Sequence, residues 1–267
     1  MDAVRLELRI DFGALQARTG ELLWRCAQMT AYGLAAYAES TELCIPDSLL
    51  QVAPRVAVND ALRSDFQSWV LTNGARQLVE TLHSFLDDVR AACAIFSLGE
   101  RESFTREEYL DAVERKQRRF HRLGFPQKIR VLRDEYRLPI RDLGLIHSVE
   151  SLNQARNCLV HRLGFVANED LTTDGAMEVL WRDLSVVAGD GVTMRDIGRG
   201  EIVRTGECVG AYSSTRKRRF RLRERVRFDA GEFGGICFTA GQFIRTLIAA
   251  VRERFDAAEF DHGVSRT

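Results

Sequence analysis

The sequence predicts a mainly α-helical bundle with a β-rich insertion ahead of its last helix, and three observations carry the prediction. Apolar residues recur at helical spacing from Ala14 to Leu163. Helix-starting and helix-ending residues sit where those periodic runs begin and stop. After Gly164 the texture changes: glycines become frequent, and charged and apolar residues alternate with period two.

From Ala14 to Ala38, Leu15, Leu22, Leu23, Cys26, Met29, Ala36 and Tyr37 fall at roughly helical spacing, with Gly20 and Gly33 as weak points. Pro46 and Pro54 remove backbone donors and disfavour helix just before them, so Cys44 to Arg55 reads as a connection. The longest helical pattern runs from about Asn59 to Leu98. Its stripe includes Phe66, Trp69, Val70, Leu78, Leu82, Phe85, Val89 and Phe96, and Gly74 is its weak point. Thr105 followed by Glu108 is a reciprocal capping pair, opening a helix expected to reach Gly124. Pro126 suits the first turn of a short helix ending near Tyr136. Leu145, Val149, Leu152 and Leu159 then mark a helix from Leu143 to Leu163, with Gly164 placed to end it.

Beyond it, Met177 to Val187, Glu201 to Val203, Glu207 to Tyr212 and Arg218 to Phe228 read as strands. A last helix is expected from Thr239 to Phe255, and a frayed tail from Asp256. The expected division is an N-terminal helical extension over 1–58, a helical core over 59–166, a β-rich insertion over 167–238, and a C-terminal helix over 239–267 that packs on the core.

Bulk properties narrow the function. A chain of 267 residues, 45% apolar, can bury one large core. Lys plus Arg equals Asp plus Glu at 38 each, so any surface that attracts nucleic acid must be local. The six cysteines show no Cys-x-x-Cys spacing and read as reduced, mostly buried thiols. No leader segment or uninterrupted apolar span stands out, so a cytoplasmic protein without membrane contact is expected. A Gly-rich phosphate loop, a paired-histidine metal helix and a Gly-x-Ser-x-Gly turn are all missing from the sequence, which lowers the expectation of nucleotide hydrolysis, metalloprotease or serine hydrolase chemistry. No cofactor or metal is expected.

One short string carries chemistry: Arg156-Asn157-Cys158-Leu159-Val160-His161. Asn157 and His161 are four apart and share a helix face, while Arg156, about 100° around, can reach it with a long side chain. The Arg-Asn-x-x-x-His pattern resembles the motif of HEPN domains, helical bundles that include many metal-independent RNases. The following Arg-Leu-Gly-Phe-Val is similar to the turn in many members, and the resemblance covers about Asn59 to Val166.

The resemblance implies an endoribonuclease of the toxin or phage-defence kind that leaves 2′,3′-cyclic phosphate and 5′-hydroxyl ends. In that chemistry an imidazole moves the proton of the 2′-hydroxyl or the leaving oxygen, an Arg stabilises the phosphate, and an Asn orients the groups. It also implies a homodimer with facing sites, an antitoxin or defence-complex partner, and an acidic residue from an earlier helix, for which Glu80 is the candidate. The alternative is a non-catalytic RNA-binding, assembly or sensor module, in which the same residues serve capping and ion pairing.

Two further features remain. His121-Arg122-Leu123-Gly124-Phe125 recurs as His161-Arg162-Leu163-Gly164-Phe165, which reads as two similar helix endings and not as a duplication. From Arg219 to Phe228, period-two alternation would put Arg219, Arg221, Arg223, Arg225 and Arg227 on one face of a strand, about 6.6 Å apart, as a strip for an RNA backbone. A charged edge strand or arginines paired with Asp183, Asp190 and Glu207 would explain the same residues.

Overall fold

A computed structural model describes residues 10–39, 42–43, 56–57, 59–100, 104–190, 193–197 and 201–261. It is mostly helical with a small antiparallel sheet, so the mainly α class holds. Helix α1 spans Phe12–Glu39 and α2 spans Asp60–Gly99. Between them lies a two-residue pair, β1 (Glu42–Leu43) with β2 (Val56–Ala57), which the sequence did not announce; the predicted Cys44 to Arg55 connection lies outside the described residues.

Helix α2 is the spine. Asn59 caps it by accepting from the Leu62 amide at 2.9 Å, and its stripe from Val70 to Leu98 is buried against α1, the helix Leu143–His161 and the last helix. Gly74 does not interrupt it. A Cβ there would lie 2.4 Å from Thr30 Oγ1 and 2.9 Å from Phe233, so the glycine lets three helices meet.

The next run starts at the expected capping box on Thr105 and Glu108. It comprises α3 (Arg106–Leu110), a π-helical turn at Asp111–Arg115 and α4 (Lys116–His121). The widened turn has a cause: buried Arg90 on α2 donates to the Ala112 carbonyl at 2.6 Å, taking up a carbonyl of the distorted turn. Helix α5 (Phe125–Asp134) carries Pro126 in its first turn, and α6 (Leu143–His161) is capped by Asp142, which accepts from the Leu145 amide.

The sheet has the order β4-β3-β5, all antiparallel. Strand β3 (Ala176–Gly189) matches expectation, whereas β4 (Met194–Asp196) was not foreseen and Glu201 to Val203 is not a strand. The two strands expected at Glu207 to Tyr212 and Arg218 to Phe228 are one, β5 (Cys208–Arg221). The inner half of this hairpin lies on α6 and the last helix, burying Met177, Val179, Trp181 and Phe220. Its free β3 edge is satisfied by side chains: the Leu180 amide donates to Ser151 Oγ at 2.8 Å and the Arg182 amide to Thr239 Oγ1 at 2.7 Å.

Helix α7 begins at Ala230, not Thr239, and continues to Asp261, past the expected start of the tail. Glycines at 231, 234, 235 and 241 hid its first turns. The sequence nevertheless carried the signal: Asp229 and Glu232 exchange side-chain and amide hydrogen bonds, both at 2.8 Å, as a capping box. By length and composition alone Ala230–Phe255 could cross a membrane, but over half of that stretch is buried inside the molecule, as in a core helix.

Burial pushes the thiols of Cys93 and Cys237 up to about 12, which keeps them protonated. Of the thiols expected to be mostly buried, Cys93 and Cys158 are buried, Cys26 and Cys237 half-buried and Cys208 exposed, while Cys44 lies outside the described residues.

Candidate functional site

The site forms where α2 and α6 run antiparallel. Glu80, His83 and Asp87 fall at i, i+3 and i+7 on α2, and Asn153, Arg156, Asn157 and His161 follow one another along α6, so each helix presents a polar line beside its apolar stripe. The lines meet in two contacts. Arg156 Nη2 lies 3.3 Å from Glu80 Oε1, and His83 Nε2 lies 2.9 Å from Asn153 Oδ1.

Arg156 also donates from Nη1 to Asn157 Oδ1 at 3.2 Å, so the two motif residues touch. Glu80 Oε1 is shared with Arg76, whose Nε is 3.6 Å away. One carboxylate thus faces two guanidinium groups, leaving a local excess of positive charge. The buried Nε–H groups of Arg76 and Arg156 lack hydrogen-bond partners among the described residues. His161, one turn beyond Asn157, is exposed at the end of α6, and its ring makes no hydrogen bond or ion pair with the described residues. The order of contacts, His83 with Asn153 and then Glu80 with Arg156, places its turn on the side of α2 that holds Arg76.

Behind this line sits a charged cluster that supports it. Lys128 of α5 is buried, with Nζ 2.6 Å from Asp87 Oδ1, and His121 Nδ1 is 2.7 Å from Asp87 Oδ2. A buried ammonium requires such a partner, because an uncompensated charge in the core is costly. His83 is half-buried, with its ring edge-on to Phe125 at 5.2 Å. Burial pushes its imidazole below the usual range; the Asn153 hydrogen bond opposes this, and the Lys128 and Arg156 charges reinforce it.

The end of α6 is fixed by a crossing segment. Leu163 and Gly164 adopt positive φ (54° and 87°), and the Gly164 amide returns to the Cys158 carbonyl. The Val226 amide bonds the Gly164 carbonyl, while Arg223 and Glu224 bond Val166. The related string at His121 ends differently: Gly124 has φ −66° and caps the start of α5, so one sequence serves two backbones.

This crossing corrects the arginine strip. Strand β5 stops at Arg221 because Arg223 takes φ 65° in a turn, with Glu224 accepting from the Arg221 amide at 2.9 Å. All five arginines are exposed, but they do not share one strand face. Arg219 pairs with Glu178 at 3.2 Å, Arg225 lies over the Phe165 ring at 5.9 Å, and Arg227 is 3.9 Å from Asp65.

The structure therefore brings Arg156, Asn157 and Glu80 together, sets His161 a turn away, and leaves Arg219 to Arg227 dispersed. Sequence reasoning missed His83, Asn153, Asp87 and Lys128. Two of them had a signal: His83 is three residues from Glu80 and Asn153 three from Arg156, the spacing of one helix face. Among the described residues no group of histidine, cysteine and carboxylate side chains could hold a metal ion. No family model matches this chain, and neither a curated protein nor a solved structure matches it.

Proposed function

We propose that the chain is a HEPN-like endoribonuclease that cleaves RNA without a metal, by attack of a 2′-hydroxyl on the adjacent phosphate. The observation that carries the reading is the meeting of Arg156, Asn157 and Glu80 on the α2–α6 seam, with His161 exposed one turn further on. Arg156 stabilises the charge that builds on the phosphate, and Glu80 and Asn157 hold the guanidinium in place. His161 takes or gives the proton, with its ring open to an incoming strand. A cytoplasmic homodimer facing such sites across a cleft, in a toxin or phage-defence setting with an antitoxin or complex partner, belongs to the same proposal.

A second reading, a non-catalytic RNA-binding or assembly module, draws on the same ion pair, since Arg156 engaged by Glu80 and Asn157 also serves to lock two helices. Purified protein and its Arg156→Ala and His161→Ala variants, incubated with total RNA and transfer RNA in excess chelator, separate the two. Fragments with 2′,3′-cyclic phosphate and 5′-hydroxyl ends from the parent protein alone are expected, with each variant at least about 100-fold slower. Equal cutting by all three would remove the proposed site, and RNA binding without cutting by any of them selects the second reading.

A further inference from the structure

Helices α1 and α2 leave a groove of about 560 Å³ on one side of their antiparallel seam, within the size range of ligand pockets. Its walls are two matched helical stripes: Leu22, Cys26 and Met29 from α1, and Phe66, Trp69 and Val70 from α2. Trp69 is 60% exposed, and its ring stacks on Phe66 at 6.0 Å and 25°. Asn73 uses its amide N–H on the Trp69 carbonyl at 2.8 Å, its Oδ1 has no partner among the described residues, and Gln77 is exposed on the same wall. Arg25 and Arg76 complete the lining. Arg25 forms no ion pair among the described residues, and Arg76 shares its one carboxylate with Arg156.

We propose that this groove is a base-stacking subsite for single-stranded RNA: the exposed Trp69 face takes one nucleobase, and Arg25 and Arg76 take the flanking phosphates. The proposal deepens the RNA-cleavage reading and rests on it for the identity of the strand. Charge decides the occupant. An apolar groove closed by another helix would not place two guanidinium groups at its wall, one without an ion pair among the described residues and the other sharing its carboxylate with Arg156, whereas a nucleotide presents a flat aromatic surface and an anion side by side. Trp69, Asn73, Arg76 and Glu80 lie at i, i+4, i+7 and i+11 on α2, one face about 16 Å long. A strand seated on Trp69 is thus led to the Glu80–Arg156 pair within a few nucleotides. The open amide groups of Asn73 and Gln77 stand where a base edge would meet them.

The test uses the intact protein and a fluorescent 2′-fluoro oligouridylate of about eight nucleotides, which lacks the attacking hydroxyl and stays whole. Trp69→Ala is expected to weaken binding roughly 5- to 150-fold, the range for one lost base stack. Trp69→Phe should recover most of the affinity, and Tyr32→Ala, 70% exposed and outside the groove, should leave it unchanged. Duplex RNA of the same length should compete poorly. Equal affinity of parent and Trp69→Ala, or equal binding of duplex and single strand, overturns the proposal. So does a Trp69→Ala protein that passes from dimer to monomer with its oligouridylate affinity intact, since a second copy would then own the groove. Binding that depends on Trp69 in a protein that never cuts RNA would keep the subsite and remove the nuclease. Cutting that ignores Trp69, with unchanged affinity, would do the reverse.

Discussion

His83 lies on the seam between the two helices that carry the site, and its protonation is coupled to folding. Burial and the nearby Lys128 and Arg156 charges hold the folded imidazole below its usual range. Unfolded, it titrates near 6.5. Between those values the unfolded chain binds more protons than the folded one, so stability rises with pH there. The contribution is complete above about 6.5 and is lost as pH falls through the depressed folded value. His83→Gln, which retains a group able to bond Asn153, should therefore lose less stability than the parent between neutral and mildly acidic pH. Urea midpoints of both proteins across that range measure this, and parallel losses would show that His83 is already solvated. At this scale the sequence revealed the motif residues through their spacing. It could not reveal that Glu80 meets Arg156 or that His83 meets Asn153, because those contacts join positions 76 and 70 apart in the chain.

Helix α2 shows how much of an element is legible and where legibility stops. Its cap and apolar stripe predicted Asp60–Gly99 closely, because capping and helical period are local properties. The role of Gly74 was hidden, since its reason is the approach of Thr30 and Phe233 from two other helices. The two kinds of glycine should respond oppositely to substitution. Gly20→Ala in α1, with nothing within 4 Å of the new methyl, should raise stability by roughly 0.5–1 kcal/mol through helix propensity. Gly74→Ala gains the same propensity but forces its methyl against a buried threonine and a phenylalanine ring, an overpacking cost of typically 1–3 kcal/mol, so its net effect should be destabilising. Denaturant unfolding of both variants checks the pair, and a stabilised Gly74→Ala would mean the helices separate easily. The period-two reading of Arg219 to Phe228 failed for the same kind of reason. Alternation continues through the string, but the backbone is diverted at Arg223 to pair with the segment after α6, a partner that no local window contains.

Over the whole molecule charge cancels, with 38 basic and 38 acidic residues, so no long-range field gathers RNA and binding must draw on a few local cations. The two candidate surfaces differ in how many they offer. Arg25, Arg76 and Arg156 line the α1–α2 groove and the site, and Glu80 is shared by Arg76 and Arg156. Most of the basic residues around β5 are already matched: Arg216 with Asp183, Lys217 and Arg219 with Glu178, and Arg218 with Glu232. For single strands, the logarithm of the binding constant falls with the logarithm of salt at about 0.7 per phosphate neutralised. Three cations at the groove and site predict a slope of about −2, whereas a strip of five would give about −3.5. Fluorescence titration of the 2′-fluoro oligouridylate across salt concentrations reads the slope directly. Arg25→Ala should make it shallower by about 0.7, and Arg219→Ala and Arg221→Ala should leave it alone. A slope near −3.5 that relaxes in the Arg219 and Arg221 variants would instead assign the RNA path to the hairpin. In that case the dispersal of its arginines after Arg221 would mark a curved track for the strand, and the groove would have to serve another ligand.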